Sequence, residues 1–217
     1  MNFKRIDLEH WHRKPYFEHF MSEGKCSFSL TANLNISAML EVLKEQNIKL
    51  YPAFIYMVSR VVQAYPEFRT GYNEKGELGV WEQMNPCYTV FHHKEQTFSA
   101  VWTEYDIDFS RFYHNHLKDM LRFGNNKGLW AKENIPANAF SISSIPWVSF
   151  TSFNLNLANS GHLLPIITNG KFFSNGTETL LPVSLQVHHA VCDGWHAGVF
   201  MNELQRLADS GEEWLKK

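Results

Sequence analysis

Residues 181–196 read LPVSLQVHHAVCDGWH. The first half alternates. Leu181, Val183, Leu185 and Val187 fall on one face of a strand, and Ser184, Gln186 and His188 on the other. One step further places His189 on the apolar face. Desolvation there favours a neutral imidazole, and a neutral ring in a fixed orientation is what a general base requires. CDGWH then turns the chain into a helix, so His189 is expected at a strand end. A histidine that only fills the core fits the same local pattern.

The other groups in this stretch carry weaker chemistry. Cys192 is three residues from His189 in a turn, within reach of a base, but no nucleophile elbow surrounds it, and buried cysteine is a common core residue. A metal needs three or four converging ligands. Adjacent His188 and His189 point to opposite strand faces, and nothing resembles HExxH, so no metal site is expected. Asp193 has two possible tasks: orienting His189, or locking the D-G turn against a cation. Arg13, in HWHRK, is a candidate partner, since a bidentate Arg–carboxylate pair would fix the loop.

Outward from this stretch, the chain has 217 residues, enough for one domain with a sizeable core. It is 44% hydrophobic with a formal net charge of −2, so neither a disordered chain nor a nucleic-acid or anionic-lipid binder is indicated. No apolar run reaches the 18 or so residues needed to span a bilayer. MNFKRIDLEHWHRK has no uncharged apolar centre of the kind a secretory signal carries. Cys26, Cys87 and Cys192, odd in number and widely spaced, argue against a disulfide framework and for a reducing cytoplasm. No repeat or linker composition appears, so one domain over 1–217 is expected.

Along the chain, 8–20 predicts a short helix with Pro15 near its first turn. Residues 26–36 predict a strand on the alternation of Phe28, Leu30, Ala32 and Leu34. A helix capped by Asn35 or Ser37 follows, then a third helix with Phe54, Met57, Val58, Val61, Val62 and Tyr65 at helical spacing, ended by Pro66. Residues 67–105 read as strands with turns at NEKGE and HHKEQ, 106–124 as an amphipathic helix, and 125–138 as a loop. Strands are expected within 139–190, broken at ANSG, TNGK and SNGTE, and a last helix over about 195–208. Mixed helices and hairpin-like strands predict an α/β fold with a mixed sheet rather than a βαβ repeat. Neither GxGxxG nor GxxxxGK[ST] occurs.

His188, His189, Asp193 and Gly194 spell HHxxxDG, and the chain resembles the type A chloramphenicol acetyltransferase family. HWHRK…YF (10–17), YPAFIYMVSR (51–60), PEFR (66–69), PCYTVFH (86–92), TFSAVW (97–102), PWVSFTSFNLN (146–156), PIIT (165–168) and LPVSLQVHHAVCDG (181–194) carry the resemblance, over about residues 2–208. Dihydrolipoyl acyltransferases share the motif but would add a lipoyl domain and linker, and condensation domains are about twice as long. Trp195 departs from the usual Phe.

The resemblance implies a two-layer sandwich, a mixed sheet with helices packed on one side, of the CoA-dependent acyltransferase fold. It implies transfer of acetyl from acetyl-CoA to the 3-hydroxyl of chloramphenicol, in a ternary complex without an acyl-enzyme. His189 matches the catalytic base and Ser143 the serine that stabilises the oxyanion; Asp193 and Arg13 match a structural ion pair. Cys26, Phe28, Phe98, Ser99, Ala100, Phe153, Leu155, Ile166 and Thr168 match the chloramphenicol pocket, and Trp147, Ser141 and Lys171 the acetyl-CoA side. No metal or prosthetic group is implied. The family is a cytoplasmic bacterial homotrimer with active sites between subunits. The rival readings are an O-acetyltransferase of another xenobiotic alcohol, a non-catalytic drug-binding relative, and a metal-dependent hydrolase, the last disfavoured by the divergent histidines.

Overall fold

A computed structural model describes residues 2–157 and 161–216. The element order is β1 (Phe3–Arg5), α1 (Lys14–Ser22), β2 (Ser27–Asn35), α2 (Ser37–Glu45), α3 (Leu50–Ala64), a 3-10 turn (Pro66–Arg69), β3 (Thr70–Tyr72), β4 (Leu78–Trp81), β5 (Asn85–His92), β6 (Thr97–Trp102) and α4 (Phe109–Phe123). Then come β7 (Ala139–Ser144), β8 (Ile166–Asn169), β9 (Phe173–Asn175), β10 (Glu178–His188), α5 (Gly194–Asp209) and α6 (Gly211–Trp214). The main sheet runs β2-β10-β8-β7-β5-β6, with β9 on one end of β10, and β1-β4-β3 form a small second sheet. The β5–β7 and β7–β8 pairs are parallel and the other pairs antiparallel, so the sheet is mixed.

The alternation in 181–188 sets the layers. Leu181, Val183, Leu185 and Val187 join one core with Ile167, Ile142, Tyr88 and Val101 from neighbouring strands. The register aligns these residues across the sheet, so they share one face. The helices that contribute buried residues pack on it: Met39 and Leu43 of α2, Phe112 of α4, Phe200 and Leu204 of α5, Trp214 of α6, and α3, which is buried from Pro52 to Ser59. This is the two-layer α/β arrangement with helices on one side. α3 ends where Tyr65, preceding Pro66, is forced into extended backbone at φ −121°.

One reading of the sequence needs correction. The first helix begins at Lys14, not at residue 8. Pro15 has no N–H to bond the carbonyl four residues earlier, so the helix starts at the proline, and 8–13 form turns in which the Asp7 carboxylate accepts from Glu9 N–H at 3.1 Å. On the polar face of β10, Ser184, Gln186 and His188 are all buried. The segment after β7 covers them: Ser184 Oγ donates to Phe153 C=O at 2.7 Å, and Leu155 N–H donates to Gln186 Oε1 at 2.8 Å. Of the ANSG break, residues 158–160 lie outside the described residues. Among the described residues no helix is long and apolar enough to cross a membrane.

One core histidine has a measurable consequence. His116, on the inner side of α4, packs on Tyr88 with ring centroids 5.0 Å apart. Burial pushes its imidazole down to about 4. The unfolded chain binds this proton at about 6.5, so it holds more protons than the folded chain between about pH 6.5 and 4, and stability falls as the pH falls through that window. The full effect is of order 3 kcal/mol. His116→Phe is therefore expected to flatten the loss of unfolding free energy between pH 7 and 5. An equally steep loss in the variant, followed by urea denaturation, contradicts this.

Candidate active site

β10 stops at His188, one residue before the position that the alternation assigned. His189 N–H donates to Cys26 C=O at 2.9 Å, closing the β2–β10 ladder, and the N–H groups of Val191 and Cys192 fold back onto His188 C=O at 3.1 and 3.0 Å. The His188 ring points inward, and its Nδ1 accepts from Ala190 N–H at 3.1 Å. It is a buried brace for the turn.

The turn, rather than strand phase, therefore aims His189. Its ring lies flat on Phe20 of α1, with centroids 4.1 Å apart and planes within 4°, and meets Phe28 edge-on at 5.2 Å. The side chain keeps 31% of its exposure, so burial on the apolar face is partial. Nδ1 is buried and makes no hydrogen bond. It lies 3.3 Å from Asp193 Oδ1 but out of alignment for one. With Nδ1 inward, the Nε2 edge carries the ring's exposure.

Asp193 spends its carboxylate on Arg13. Nη1–Oδ2 is 2.6 Å and Nη2–Oδ1 is 3.1 Å, a bidentate pair joining residues 180 apart in sequence. Arg13 Nη2 also reaches His189 C=O at 3.3 Å. Arg13 is nearly buried, and its hydrogen bond holds the Asp193 carboxyl below the usual carboxylate range. Cys192 is buried, which pushes its thiol up and away from the reactive thiolate.

The remaining candidates divide into two groups. Cys26 and Phe28 sit with His189. Ser143, Thr168 and Ser184 are level across β7, β8 and β10 on the face away from the helices. Ser141 and Ile166 lie two residues along on the same face, and Ala100 and Phe98 continue it on β6. Phe153 and Leu155 lie over it. Trp147 stands edge-on to Phe91 at 4.5 Å, and Lys171 N–H donates to Val148 C=O at 2.9 Å, bringing Lys171 to the same loop. Ser99 falls on the opposite face. It is fully buried, with Oγ bonded to His92 Nε2 and Asn126 C=O, so its side chain does not reach the Phe98–Ala100 surface.

Within one chain the two groups do not meet. His188 lies four residues past Ser184 along β10, and Ser184 is two strands from Ser143. At strand spacings these steps put His189 on the order of 15–20 Å from Ser143. Sequence reading also missed Phe20 and Glu67, and weighed His196 only as a possible metal ligand, not as the acceptor for Asp193 N–H. Phe20 had a signal in its i, i+3 spacing from Phe17; Glu67 had none. Among the described residues no group of three or more His, Cys, Asp or Glu is placed to hold a metal ion.

A sequence model of the family described as "Chloramphenicol acetyltransferase" matches residues 1–205. The chain is 52% identical to a chloramphenicol acetyltransferase of Clostridium butyricum, over 100% of this chain and 99% of that protein. It is 50% identical to one of Clostridium perfringens, over 99% of each. A solved chloramphenicol acetyltransferase structure superposes with a TM-score of 0.88 at 21% identity, covering 95% of this chain and all of that one.

Proposed function

The chain belongs to the chloramphenicol acetyltransferase family and is an antibiotic-inactivating acetyltransferase; we propose that it moves acetyl from acetyl-CoA to the 3-hydroxyl of chloramphenicol, with His189 as the general base. The observation that carries this reading is the clamped His189 ring. The carboxylate beside Nδ1 favours a proton there, which leaves the lone pair on the outward Nε2. A hydroxyl is a poor nucleophile at neutral pH. As its oxygen attacks the thioester carbonyl, Nε2 takes the hydroxyl proton, a step worth about 10²–10⁴ in rate. The tetrahedral intermediate collapses, the C–S bond breaks, and the CoA thiolate recovers the proton from the imidazolium. Ser143 Oγ–H donates to the carbonyl oxygen as it gains charge; removing one such donor costs about 10²–10³. No acyl-enzyme forms.

Phe98, Ala100, Phe153, Leu155, Ile166 and Thr168 form the apolar drug pocket, with Cys26 and Phe28 on the His189 side. Trp147, Ser141 and Lys171 take the acyl-CoA. Phe91, which meets Trp147 edge-on, also lines a mainly apolar cleft of about 310 Å³ at the end of β7, with Tyr51, Tyr88, His116, Met120 and Ser144 from the helix side of the sheet. No metal or prosthetic group takes part. The whole chain serves as one catalytic domain in the bacterial cytoplasm.

We further propose a homotrimer in which one subunit supplies His189 and its neighbour supplies Ser143 and the pocket. The separation of the two groups within a chain supports it, because a base and an oxyanion donor must lie within hydrogen-bond reach of one carbonyl. Two measurements test the proposals. Release of free CoA is expected with chloramphenicol. No release with it, but release with another alcohol, overturns the acceptor assignment, and no release with any acceptor overturns the transferase mechanism. Separately inactive His189→Ala and Ser143→Ala proteins, unfolded and refolded together in equal amounts, are expected to regain about a quarter of wild-type turnover, the random chance that one interface carries both intact groups. No recovery in mixed assemblies overturns the shared site.

A further inference from the structure

We propose that His196, set by Glu67, is a positioning residue for His189, acting through Asp193 and Arg13. The inference rests on the general-base reading of His189. His196 sits in the first turn of α5 with its side chain only 11% exposed. Its Nδ1 accepts from Asp193 N–H at 3.0 Å. A ring nitrogen that accepts carries no proton, so the proton is on Nε2. That nitrogen faces Glu67 Oε1, from the 3-10 turn, at 3.6 Å, and a carboxylate there favours this tautomer. The exposed Trp195 ring stands edge-on to the imidazole at 5.1 Å.

The bond to Asp193 N–H has a structural task. Asp193 precedes α5 in extended backbone, φ −112° and ψ 172°. From that conformation its carboxylate forks onto Arg13, and Arg13 reaches back to His189 C=O. The contacts run from Glu67 through His196, Asp193 and Arg13 to the backbone of the base. His196 touches no reacting atom. Its effect is to hold the turn so that the His189 ring stays flat on Phe20 with Nε2 outward. Displacement of a reacting group by about 1 Å costs on the order of 10²-fold in rate.

The test uses the full-length protein and three variants: His196→Leu, which removes the acceptor; His196→Asn, whose amide oxygen takes the Nδ1 position; and Glu67→Leu. His196→Leu is expected to lower kcat by about 10- to 100-fold with KM for both substrates within about twofold. His196→Asn should recover most of that loss. In the wild-type protein, ¹⁵N resonances of the His196 ring should show a bare Nδ1 and a protonated Nε2, and Glu67→Leu should mix the two tautomers. An unchanged kcat in His196→Leu, an Asn variant no better than Leu, or a proton on Nδ1 overturns the inference. If His196→Leu fails to fold, the ring resonances still decide, and a single unmixed tautomer with unchanged kcat in Glu67→Leu overturns the role given to Glu67. A wild-type protein without turnover would bring down the general-base reading instead, with the His196 resonances reporting separately.

Discussion

His189→Ala is expected to lose nearly all acetyl transfer while the subunits still assemble and chloramphenicol still binds. The loss should be at least the 10²–10⁴ typical of a general base. Binding should survive because most residues proposed for the drug pocket come from β6, β8 and the segment after β7, and loss of the imidazole leaves them and Phe28 in place. Assembly should survive because the ring is about a third exposed and its removal deletes only a stack on Phe20 and an edge contact with Phe28. CoA release, equilibrium dialysis of the drug and sedimentation check the three parts. Turnover within tenfold of wild type sinks the assignment of His189.

Arg13→Ala is expected to be the most destabilising single change at the site. It leaves the Asp193 carboxylate without its fork and takes the donor from His189 C=O. Losing one partner of a buried pair costs about 3–5 kcal/mol; with Asp193 37% exposed, a value at or below about 3 kcal/mol is expected. The pH dependence has a definite sign. Arg13 depresses the Asp193 carboxyl in the folded chain. The pair's contribution is therefore complete above the unfolded carboxylate value near 3.9 and is lost only as the pH falls through the lower folded value. Urea unfolding at fixed protein concentration should give a wild-type-to-variant difference that is level from pH 5 to 8 and shrinks below about pH 4. A difference that vanishes by pH 6 would show that the pair does not hold this turn.

The legible parts of the sequence were the local ones. Alternation in β10 placed Leu181, Val183, Leu185 and Val187 on the helix side, and helical spacing found α3 and α4, because both signals depend only on neighbours in the chain. The same alternation in TFSAVW separates Ser99 from Phe98 and Ala100, a distinction that the resemblance to known relatives passed over. The segment covering the polar face of β10 carried no periodic signal, since hydrogen bonds such as Leu155 N–H to Gln186 hold it from across the chain.

By itself, then, the sequence determined the strand, the turn after it, the family and the residue types a transferase site needs. Only the tertiary structure decided how those residues stand to one another. It ended the strand at His188, so that Phe20 and the turn aim His189. It brought Arg13 to Asp193 across 180 residues. It also held His189 and Ser143 apart in one chain, because strand order and register, which no local pattern encodes, set the distance between them.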